Sequence, residues 1–314
     1  MEAIVIKQFG SADEFYETEV DLPQVTDDTV LVGVNAFSIN PMDVAARMGM
    51  LQAPFSDNWS FPLVLGWDFA GTVAKVGKNV TGYKAGDRVF GGIPSDHAAN
   101  NGSYGRFVVT TPDTMAKIPA GLSFDQAAAL PVAGGTAYEG IVENLKVKPN
   151  DTVLVQGGAG GVGLFAVQIA KAQGAKVIAT ASAPHNELLK QLGVDQVVDY
   201  HKQTVGDVVK DVDAVFDTAG DIAGGLTALK SGGKLVTVGG QPTPEQTNLP
   251  DKSVSFQSTH ATTATYEHVA ALVTSGKVKI QLQTLPRSAD NVIDAQKQVE
   301  AHHMTGKFVI HVKD

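Results

Sequence analysis

The residues best suited to bind a charged ligand form a glycine-rich run, GGAGGVG, at positions 157–163. Gly158, Gly160 and Gly163 have the spacing G-x-G-x-x-G, which by itself is a weak indicator. Here an apolar strand-like run, Thr152–Gln156, comes directly before it. A helix face with the apolar spacing i, i+3, i+4, i+7, i+8 follows: Val162, Phe165, Ala166, Ile169 and Ala170. The sequence therefore predicts a strand, a tight turn and a helix.

Such a turn can bind a phosphate through its backbone. Gly158 permits the tight turn, Gly160 lets a pyrophosphate approach, and Gly163 lets helix and strand pack closely. The amides that open the helix have no partner within it, so they bind the anion. We expect a dinucleotide site made of six residues: Gly158, Ala159, Gly160, Gly161, Val162 and Gly163. A tight turn without a ligand is the alternative.

The end of the second strand of this fold indicates which dinucleotide binds. An NAD site normally has an Asp or Glu about 20 residues after the turn, where its carboxylate bonds the ribose. The corresponding stretch, Thr180–Asn186, holds no acid, and the first acid is Glu187. The hydroxyl of Ser182 can donate to a 2′-phosphate. The sequence favours NADPH, mainly because the acid is missing.

Strand-like runs recur regularly from residue 123 onward, with helical stretches in most gaps. They are Thr152–Val155, Lys176–Thr180, Gln196–Val198, Ala214–Phe216, Lys234–Val238 and Ser253–Phe256. Several are apolar on both faces, as a buried parallel sheet requires. We therefore expect one α/β domain with a doubly wound parallel sheet of the Rossmann type.

The first 120 residues follow another pattern, with short strand-like runs between Gly and Pro turns. These runs are Val30–Phe37, Gly71–Val76, Arg88–Phe90 and Ser103–Thr110. They predict a mostly antiparallel β domain. One helix should interrupt it, because Asn40 is a capping residue, Pro41 follows it, and Asp43 stands at the third helical position. The tail from residue 260 reads helix, strand, helix, strand and is too short to fold alone.

Composition excludes several classes of function. The 314 residues carry a net charge of −9 and no basic run, which disfavours nucleic acid as a partner. The chain has no cysteine, so disulfides, thiolate catalysis and Cys-ligated zinc are excluded. The opening MEAIVIKQFG lacks a signal-peptide pattern, and no apolar run is long enough for a membrane span. We expect a cytoplasmic protein without a membrane partner.

Five motifs in a fixed order resemble the medium-chain dehydrogenases/reductases over nearly the whole chain. They are Asn40-Pro41-x-Asp43, Gly66-x-Asp68-x-Ala70-Gly71-x-Val73, Gly86-Asp87-Arg88-Val89, Gly135-Thr136-Ala137 and Gly157–Gly163. More narrowly, the chain is similar to the zinc-independent quinone oxidoreductase branch, related to ζ-crystallin. Zinc-dependent members have Gly-His-Glu where this chain has Gly66-Trp67-Asp68, so a catalytic metal ligand is missing.

The resemblance implies a Rossmann domain (residues 123–259) inserted in a GroES-like catalytic domain (residues 1–122 and 260–314). It implies hydride transfer from NADPH to a quinone or activated alkene, in a homodimer and without a metal. The candidate catalytic residues are Asn40, Asp43 and Thr136, with Asn40 and Thr136 near the nicotinamide. Further cofactor contacts would be Ser182 and Tyr200 at the 2′-phosphate, and Thr218, Ala219, Gly220, Val238, Gly239 and Gly240 along the cofactor.

Several interpretations stay open at this point. Asn40 and Asp43 have a structural explanation as a helix cap, and Asp68 is either an acid in the site or a satisfied structural carboxylate. The nearest alternative activity is an alkenal, enone or enoyl-thioester reductase. A non-catalytic NADPH-binding sensor or structural protein is an alternative of another class. RNA binding is a third, which the net charge disfavours.

Overall fold

A computed structural model describes residues 1–51, 59–94, 97–302 and 304–313. The chain divides into two compact units. The first contains Met1–Val132, Ala261–Thr274 and Leu282–Asp314, and the second contains Ala133–His260 and Ser275–Gln281. The second unit is therefore nearly continuous in sequence, whereas the first is assembled from three segments.

Sixteen strands lie within the described residues. They are β1 Glu2–Ile6, β2 Phe15–Glu19, β3 Val30–Ile39, β4 Leu63–Val64, β5 Asp68–Val76, β6 Arg88–Gly92, β7 Phe107–Thr110, β8 Met115–Lys117, β9 Thr152–Gln156, β10 Lys176–Ala181, β11 Gln196–Asp199, β12 Val212–Asp217, β13 Leu229–Thr237, β14 Ser253–Phe256, β15 Leu282–Pro286 and β16 Lys307–His311.

The α-helices of the same residues are short, apart from three of twelve residues. They are α1 Pro41–Arg47, α2 Phe124–Ala128, α3 Pro131–Tyr138, α4 Gly161–Ala172, α5 Asn186–Gln191, α6 Val205–Val208, α7 Ile222–Ala228, α8 Pro244–Thr247, α9 Thr263–Thr274 and α10 Ala289–Glu300. A π-helix, Glu139–Asn144, follows α3, and single 3-10 turns occupy Ala12–Glu14, Pro112–Thr114 and Ala183–His185.

The second unit is built on a six-stranded parallel sheet with the order β11-β10-β9-β12-β13-β14. At its centre, Leu154 of β9 pairs with Ile178 of β10 and Val215 of β12, and all three side chains are buried. The strand order reverses beside β9. In doubly wound sheets ligands bind outside the carboxyl ends of the strands at this reversal. The predicted Rossmann sheet is confirmed, with all six of its strands.

The first unit contains two sheets. One has three antiparallel strands in the order β2-β1-β4, and the other has the order β15-β16-β3-β5-β6-β8, with β7 also paired to β3. Among the described strand pairs of the larger sheet, β15 and β16 run parallel to each other and the other pairs are antiparallel. Strand β3 is buried along its whole length, as expected for a central strand. The predicted mostly antiparallel β domain is confirmed.

The predicted strand Ser103–Thr110 is wrong over its first half: Gly105 forms a single antiparallel bridge with Ala3, and the continuous strand begins only at Phe107. The amides of Ser103 and Tyr104 donate to the carbonyl groups of Gly66 (3.1 Å) and Leu65 (3.0 Å). The preceding Gly102 packs so closely there that a Cβ would lie 2.2 Å from the Leu65 oxygen. This backbone-to-backbone packing turns the chain before β7 can start.

The compact units depart from the predicted boundaries at two places. The first unit extends to Val132 instead of residue 122, because α2 packs on β3 and β5 of that unit. In the tail, Ser275–Gln281 groups with the second unit. Among the residues that the structure describes, no helix has the length and apolar composition needed to cross a bilayer.

Candidate active site

The glycine turn joins the carboxyl end of β9 to the start of α4. Its first amides are fastened to the neighbouring strand β10: Gly157 N donates to Thr180 Oγ1 and Gly158 N donates to the Thr180 carbonyl, each at 2.9 Å. Gly160 is the N-cap residue of α4. The turn therefore lies beside the point where the strand order reverses.

Each glycine of the G-x-G-x-x-G spacing meets a different constraint. The residue with a positive φ is Gly157 (75°), so the prediction that Gly158 makes the tight turn is wrong. A Cβ on Gly158 would lie 2.7 Å from Ala179 Cβ, which makes Gly158 a packing residue. A Cβ on Gly163 would lie 2.1 Å from the Gly157 oxygen, in agreement with close packing of helix against strand.

Gly160 differs from the other two because the space beside it is open. A Cβ there would meet only the Gly157 oxygen, at 3.4 Å, and its φ of −74° suits any residue. The first i→i−4 bond of the helix runs from Leu164 N to Gly160 O (3.0 Å), so the amides of Gly161, Val162 and Gly163 precede it. This open cradle beside helix amides fits a pyrophosphate, which these residues and Ala159 would hold.

The loops after β12 and β13 are organised by Asp217, a buried residue that the sequence reasoning missed. Its Oδ1 accepts the amides of Ala219 (2.9 Å) and Gly220 (3.0 Å), and its Oδ2 accepts the Thr237 hydroxyl (2.8 Å). The Thr218 hydroxyl is also engaged, because it donates to the Gln156 carbonyl (2.7 Å). An acid that ends an apolar strand was the available signal.

The two loops then pack backbone to backbone. A Cβ on Gly239 would lie 2.3 Å from Gly220 N, whereas one on Gly240 would meet nothing within 4 Å. The loop that holds Gly220 also touches the glycine turn, since a Cβ on Gly157 would lie 2.6 Å from Thr218 Oγ1. The predicted residues of these loops, including Val238, thus share one edge of the sheet with the turn.

Ser182 and Tyr200 follow the ends of adjacent strands. The last residues of these strands, Ala181 of β10 and Asp199 of β11, pair with each other. Ser182 is half-buried, and Tyr200 is 55 % exposed, with its ring 4.3 Å from that of His201. Both side chains therefore stand at the outer half of the same sheet edge, on the β10 side of the turn.

In the first unit, Asn40 belongs to a buried polar cluster that we call the Asn40 cluster: Ser38, Asn40, Asp68, Lys307 and the amide of Val132. Asn40 is 2 % exposed, and its Nδ2 donates to Asp68 Oδ2 (2.8 Å). Asp68 also accepts the Ser38 hydroxyl and, through Oδ1, the Val132 amide (2.7 Å). Of the two interpretations, an acid in the site or a satisfied structural carboxylate, these contacts support the second for Asp68.

Asp43 lies next to this cluster and holds the start of α1. Its Oδ2 accepts the Asn40 amide (2.7 Å) and the Tyr104 hydroxyl (3.3 Å), and Tyr104 in turn accepts from Gln296 (3.0 Å). Among the described residues Asp43 Oδ1 has no hydrogen-bond partner. Burial raises the pKa of the Asp43 carboxyl from 3.8 to about 7. The bond from the Asn40 amide to Asp43 is the one expected if Asp43 caps the start of α1.

Thr136 belongs to the second unit, in α3. Its carbonyl accepts Gln257 Nε2 (2.9 Å), and its hydroxyl oxygen accepts the Thr259 hydroxyl (3.1 Å). The next turn is the π-helix, whose Glu139 carboxylate accepts the His260 amide at 3.1 and 3.2 Å. Burial raises the pKa of Glu139. Gln257, Thr259 and Glu139 were missed, because no local spacing links residues 257–260 with residues 136–139.

The position of the zinc-ligand histidine in zinc-dependent enzymes is filled by a packed side chain. Trp67 is buried, and its ring centroid lies 6.5 Å from that of Trp59 and 5.5 Å from that of His97. Over residues 1–51, 59–94, 97–302 and 304–313, no three His, Cys, Asp or Glu side chains group in a way that could hold a metal ion. Trp67 thus forms an aromatic cluster with Trp59 and His97 at this position.

Comparisons with known proteins agree with this architecture. Residues 26–120 match the family model of the alcohol dehydrogenase GroES-like domain, and residues 161–275 match the model named zinc-binding dehydrogenase. The chain is 36 % identical to 2-methylene-furan-3-one reductase of Solanum lycopersicum and 34 % identical to the chloroplastic NADPH-dependent alkenal/one oxidoreductase of Arabidopsis thaliana; each match covers 99 % of this chain and 79 % of the relative.

A solved structure matches over the full length. The quinone oxidoreductase of Coxiella burnetii superposes with a TM-score of 0.91 at 31 % identity, covering 100 % of this chain and 99 % of that one. Both domain models, the two relatives and the solved structure indicate the same superfamily. The chain belongs to the medium-chain dehydrogenase/reductase superfamily of nicotinamide-dinucleotide-dependent oxidoreductases, in its zinc-independent quinone oxidoreductase branch.

Proposed function

We propose that this chain transfers hydride from NADPH to a quinone or to an alkene activated by a carbonyl group, without a metal ion. The observation that supports this most directly is the open cradle at Gly160 beside the helix amides of α4. The names of the two relatives describe carbonyl-conjugated alkenes, and the similar structure is a quinone oxidoreductase. NADPH would supply the hydride from C4 of its nicotinamide.

Three features support NADPH over NADH. The β10 end, Thr180–Asn186, carries no acid that would repel a 2′-phosphate. Ser182 makes no capping hydrogen bond in the 3-10 turn that it precedes, which leaves its hydroxyl as a donor. One relative is named as NADPH-dependent. We propose that Ser182 and Tyr200 contact the 2′-phosphate, whereas the six residues of the glycine turn hold the pyrophosphate.

We further propose that Asn40 and Thr136 contact the nicotinamide and the substrate. The side-chain NH₂ group of Asn40 has two hydrogens. One of them bonds Asp68, and the other remains for a ligand. Asp43 acts one step further away, because it fixes the Asn40 backbone. What these residues contribute is orientation of the reactants and exclusion of water.

No side chain has to deliver the single proton that must follow the hydride. The oxygen of a reduced quinone or an enolate is basic enough to take a proton from water. Near Asn40, both oxygens of Asp68 are engaged, by three donors in all, and Asp43 holds the helix start through Oδ2, which accepts two hydrogen bonds. This site suits a reaction that depends on orientation of the reactants more than on acid catalysis by a side chain.

The test mixes protein, NADPH and a panel of quinones, alkenals, enones and enoyl thioesters, and follows the loss of NADPH absorbance. We expect turnover with quinones or enones, and the rank order of kcat/KM identifies the substrate class. Highest kcat/KM with alkenals or thioesters favours the alternative activity. Tight NADPH binding without turnover on any member of the panel would instead indicate a sensor or structural protein.

Two finer expectations stay predictions. A homodimer is checked by light scattering of the purified protein, and a monomer at micromolar concentration would contradict it. A cytoplasmic location is checked by imaging or fractionation, and recovery of the protein in an organelle or membrane fraction would contradict it.

A further inference from the structure

Lys307 is a buried cation that the proposed reaction has not yet used. It opens β16, which pairs antiparallel with β3 so that Phe308 lies opposite Ile39. The residue is 3 % exposed, and lysine is almost never this buried unless its charge is paired. Its Nζ donates to the Ile39 carbonyl (3.1 Å) and to Asn40 Oδ1, and it lies 3.5 Å from Asp68 Oδ2.

The charge is compensated within the Asn40 cluster. Asp68 is fully buried and provides the nearest carboxylate, with Asp43 as a second acid whose charge also favours the ammonium. Burial itself lowers the pKa of Lys307, and the two acids act in the opposite direction. Keeping such an ion pair out of water is unfavourable unless further hydrogen bonds satisfy the two ions. Ser38, Asn40, Ile39 and Val132 provide those bonds.

Lys307 and Asp68 together fix the orientation of the Asn40 carboxamide. An ammonium only donates hydrogen bonds, and an ionised carboxylate only accepts them. The oxygen of Asn40 must therefore face Lys307, and its nitrogen must face Asp68. A flipped carboxamide would set N–H against N–H and oxygen against oxygen, so both neighbours exclude it. One N–H of Asn40 is left, in one fixed direction.

We infer that Lys307 is a positioning residue of the reaction: its ammonium holds Asn40 so that the remaining N–H is presented to the bound reactants. This role rests on the proposed function, because it requires Asn40 to contact them. The competing explanation is that Lys307 only fastens β16 to β3. The bond to the Ile39 carbonyl would serve that purpose equally well, so the two explanations differ in whether the effect of Lys307 passes through Asn40.

A double-mutant cycle on the full-length protein separates them. We compare Lys307→Met, which keeps most of the side-chain length but removes the charge, in the parent and in the Asn40→Ala variant. In the parent background we expect kcat to fall by at least about tenfold, with KM for NADPH changed by less than about threefold. In the Asn40→Ala background the same substitution should lower kcat by less than about twofold, because effects that act through a shared partner are not additive.

Lys297→Met is the matched control. That lysine is half-exposed in a salt bridge with Asp13 and should leave kcat unchanged in both backgrounds. Lys307→Gln retains a donor that can reach Asn40 Oδ1 and should keep more activity than Lys307→Met. If the methionine variant does not fold, the same comparison is made with Lys307→Leu, which also lacks a donor.

The outcomes are distinct. Equal fold losses in the two backgrounds, or unchanged kcat in a folded Lys307→Met protein, would overturn the positioning role and leave the proposed function intact. An Asn40→Ala protein with parental kcat would overturn it as well. If the parent protein turns over no quinone or enone, the proposed function fails first, and the role of Lys307 fails with it.

Discussion

The glycine turn and the Asn40 cluster are built in opposite ways. The turn is seven consecutive residues, five of them glycine, and at Gly160 the missing side chain leaves open space beside the first amides of α4. The Asn40 cluster is made of charged and polar side chains that come from distant parts of the chain: Asn40 bonds Asp68 across 28 positions and Lys307 across 267. The turn should therefore be sensitive to added atoms, and the cluster to a changed charge.

The largest effect is expected where an added atom meets backbone. Gly163→Ala would place a Cβ 2.1 Å from the Gly157 oxygen, so the turn must open. Overpacking of this kind destabilises by about 1–3 kcal/mol, and we expect Tm to fall by about 2–12 °C. The matched control is Gly160→Ala, whose Cβ meets only one atom at 3.4 Å and should leave Tm within about 1 °C of the parent. A Gly163→Ala protein that melts at the parental Tm would show that the turn tolerates a Cβ at this position.

Gly160→Val tests the same turn for binding. The fold should survive, because the space is open and φ is −74°. The added side chain would push a phosphate away from the helix amides, whose charge-assisted bonds are worth about 1.5–3 kcal/mol each. We expect the NADPH Kd to rise at least about tenfold, measured by fluorescence titration. A variant that melts normally and binds NADPH like the parent would mean that the pyrophosphate lies elsewhere.

Ser182→Asp probes the cofactor preference. A carboxylate at the end of β10 should repel a 2′-phosphate and bond a ribose hydroxyl, so the preference for NADPH over NADH should drop by about fivefold or more. The measurement is the ratio of the two Kd values. Ser182→Asn has the same shape without the charge and should shift the ratio much less. NADH binding more tightly than NADPH in the parent would refute the preference itself.

Asp43→Asn tests the charge sensitivity next to the Asn40 cluster. Because burial raises the pKa of Asp43 from 3.8 to about 7, the folded protein binds a proton that the unfolded chain releases, and stability is lost as the pH rises through this interval. The facing groups are Asp68, Lys307 and Tyr104. We expect the variant to gain on the parent by about 2–4 °C in Tm at pH 8 and by little at pH 5. A Tm difference that does not depend on pH would contradict the shifted pKa.

The smallest expected effect is that of a chelator. With Trp67 in the position of the histidine ligand and no cysteine in the chain, EDTA should leave both Tm and kcat unchanged. Addition of zinc afterwards is the control and should restore nothing. Stoichiometric zinc in protein purified without a tag would refute the prediction.

Contiguous features could be predicted from the sequence more fully than features assembled by the fold. The glycine turn was predictable because its spacing, its strand and its helix are contiguous, and the six strands of the parallel sheet each showed a local apolar run. Only the role of Gly158 was misjudged, because a positive φ at Gly157 leaves no mark in the spacing. Ser103–Thr110 was misjudged because contacts with Leu65 and Gly66 override a strand-like composition.

The Asn40 cluster was only half predictable. Asn40, Asp43 and Asp68 stand in recognisable motifs, but no period or spacing connects them with Lys307. A lysine at the start of an alternating strand is normally read as exposed. Its burial follows from tertiary pairing of β16 with β3, and Gln257 joins Thr136 for the same kind of reason.

The position of Lys307 in the chain also affects how the protein matures during synthesis. The glycine turn and its sheet lie almost wholly within residues 133–260, so they can fold while the ribosome is still producing the tail. The buried cation arrives only with β16, after the strands that it must join. A nascent chain can thus form its nucleotide cradle well before Asn40 is fixed. On the proposed function, a chain at this stage could hold a dinucleotide but could not yet orient a substrate through Asn40.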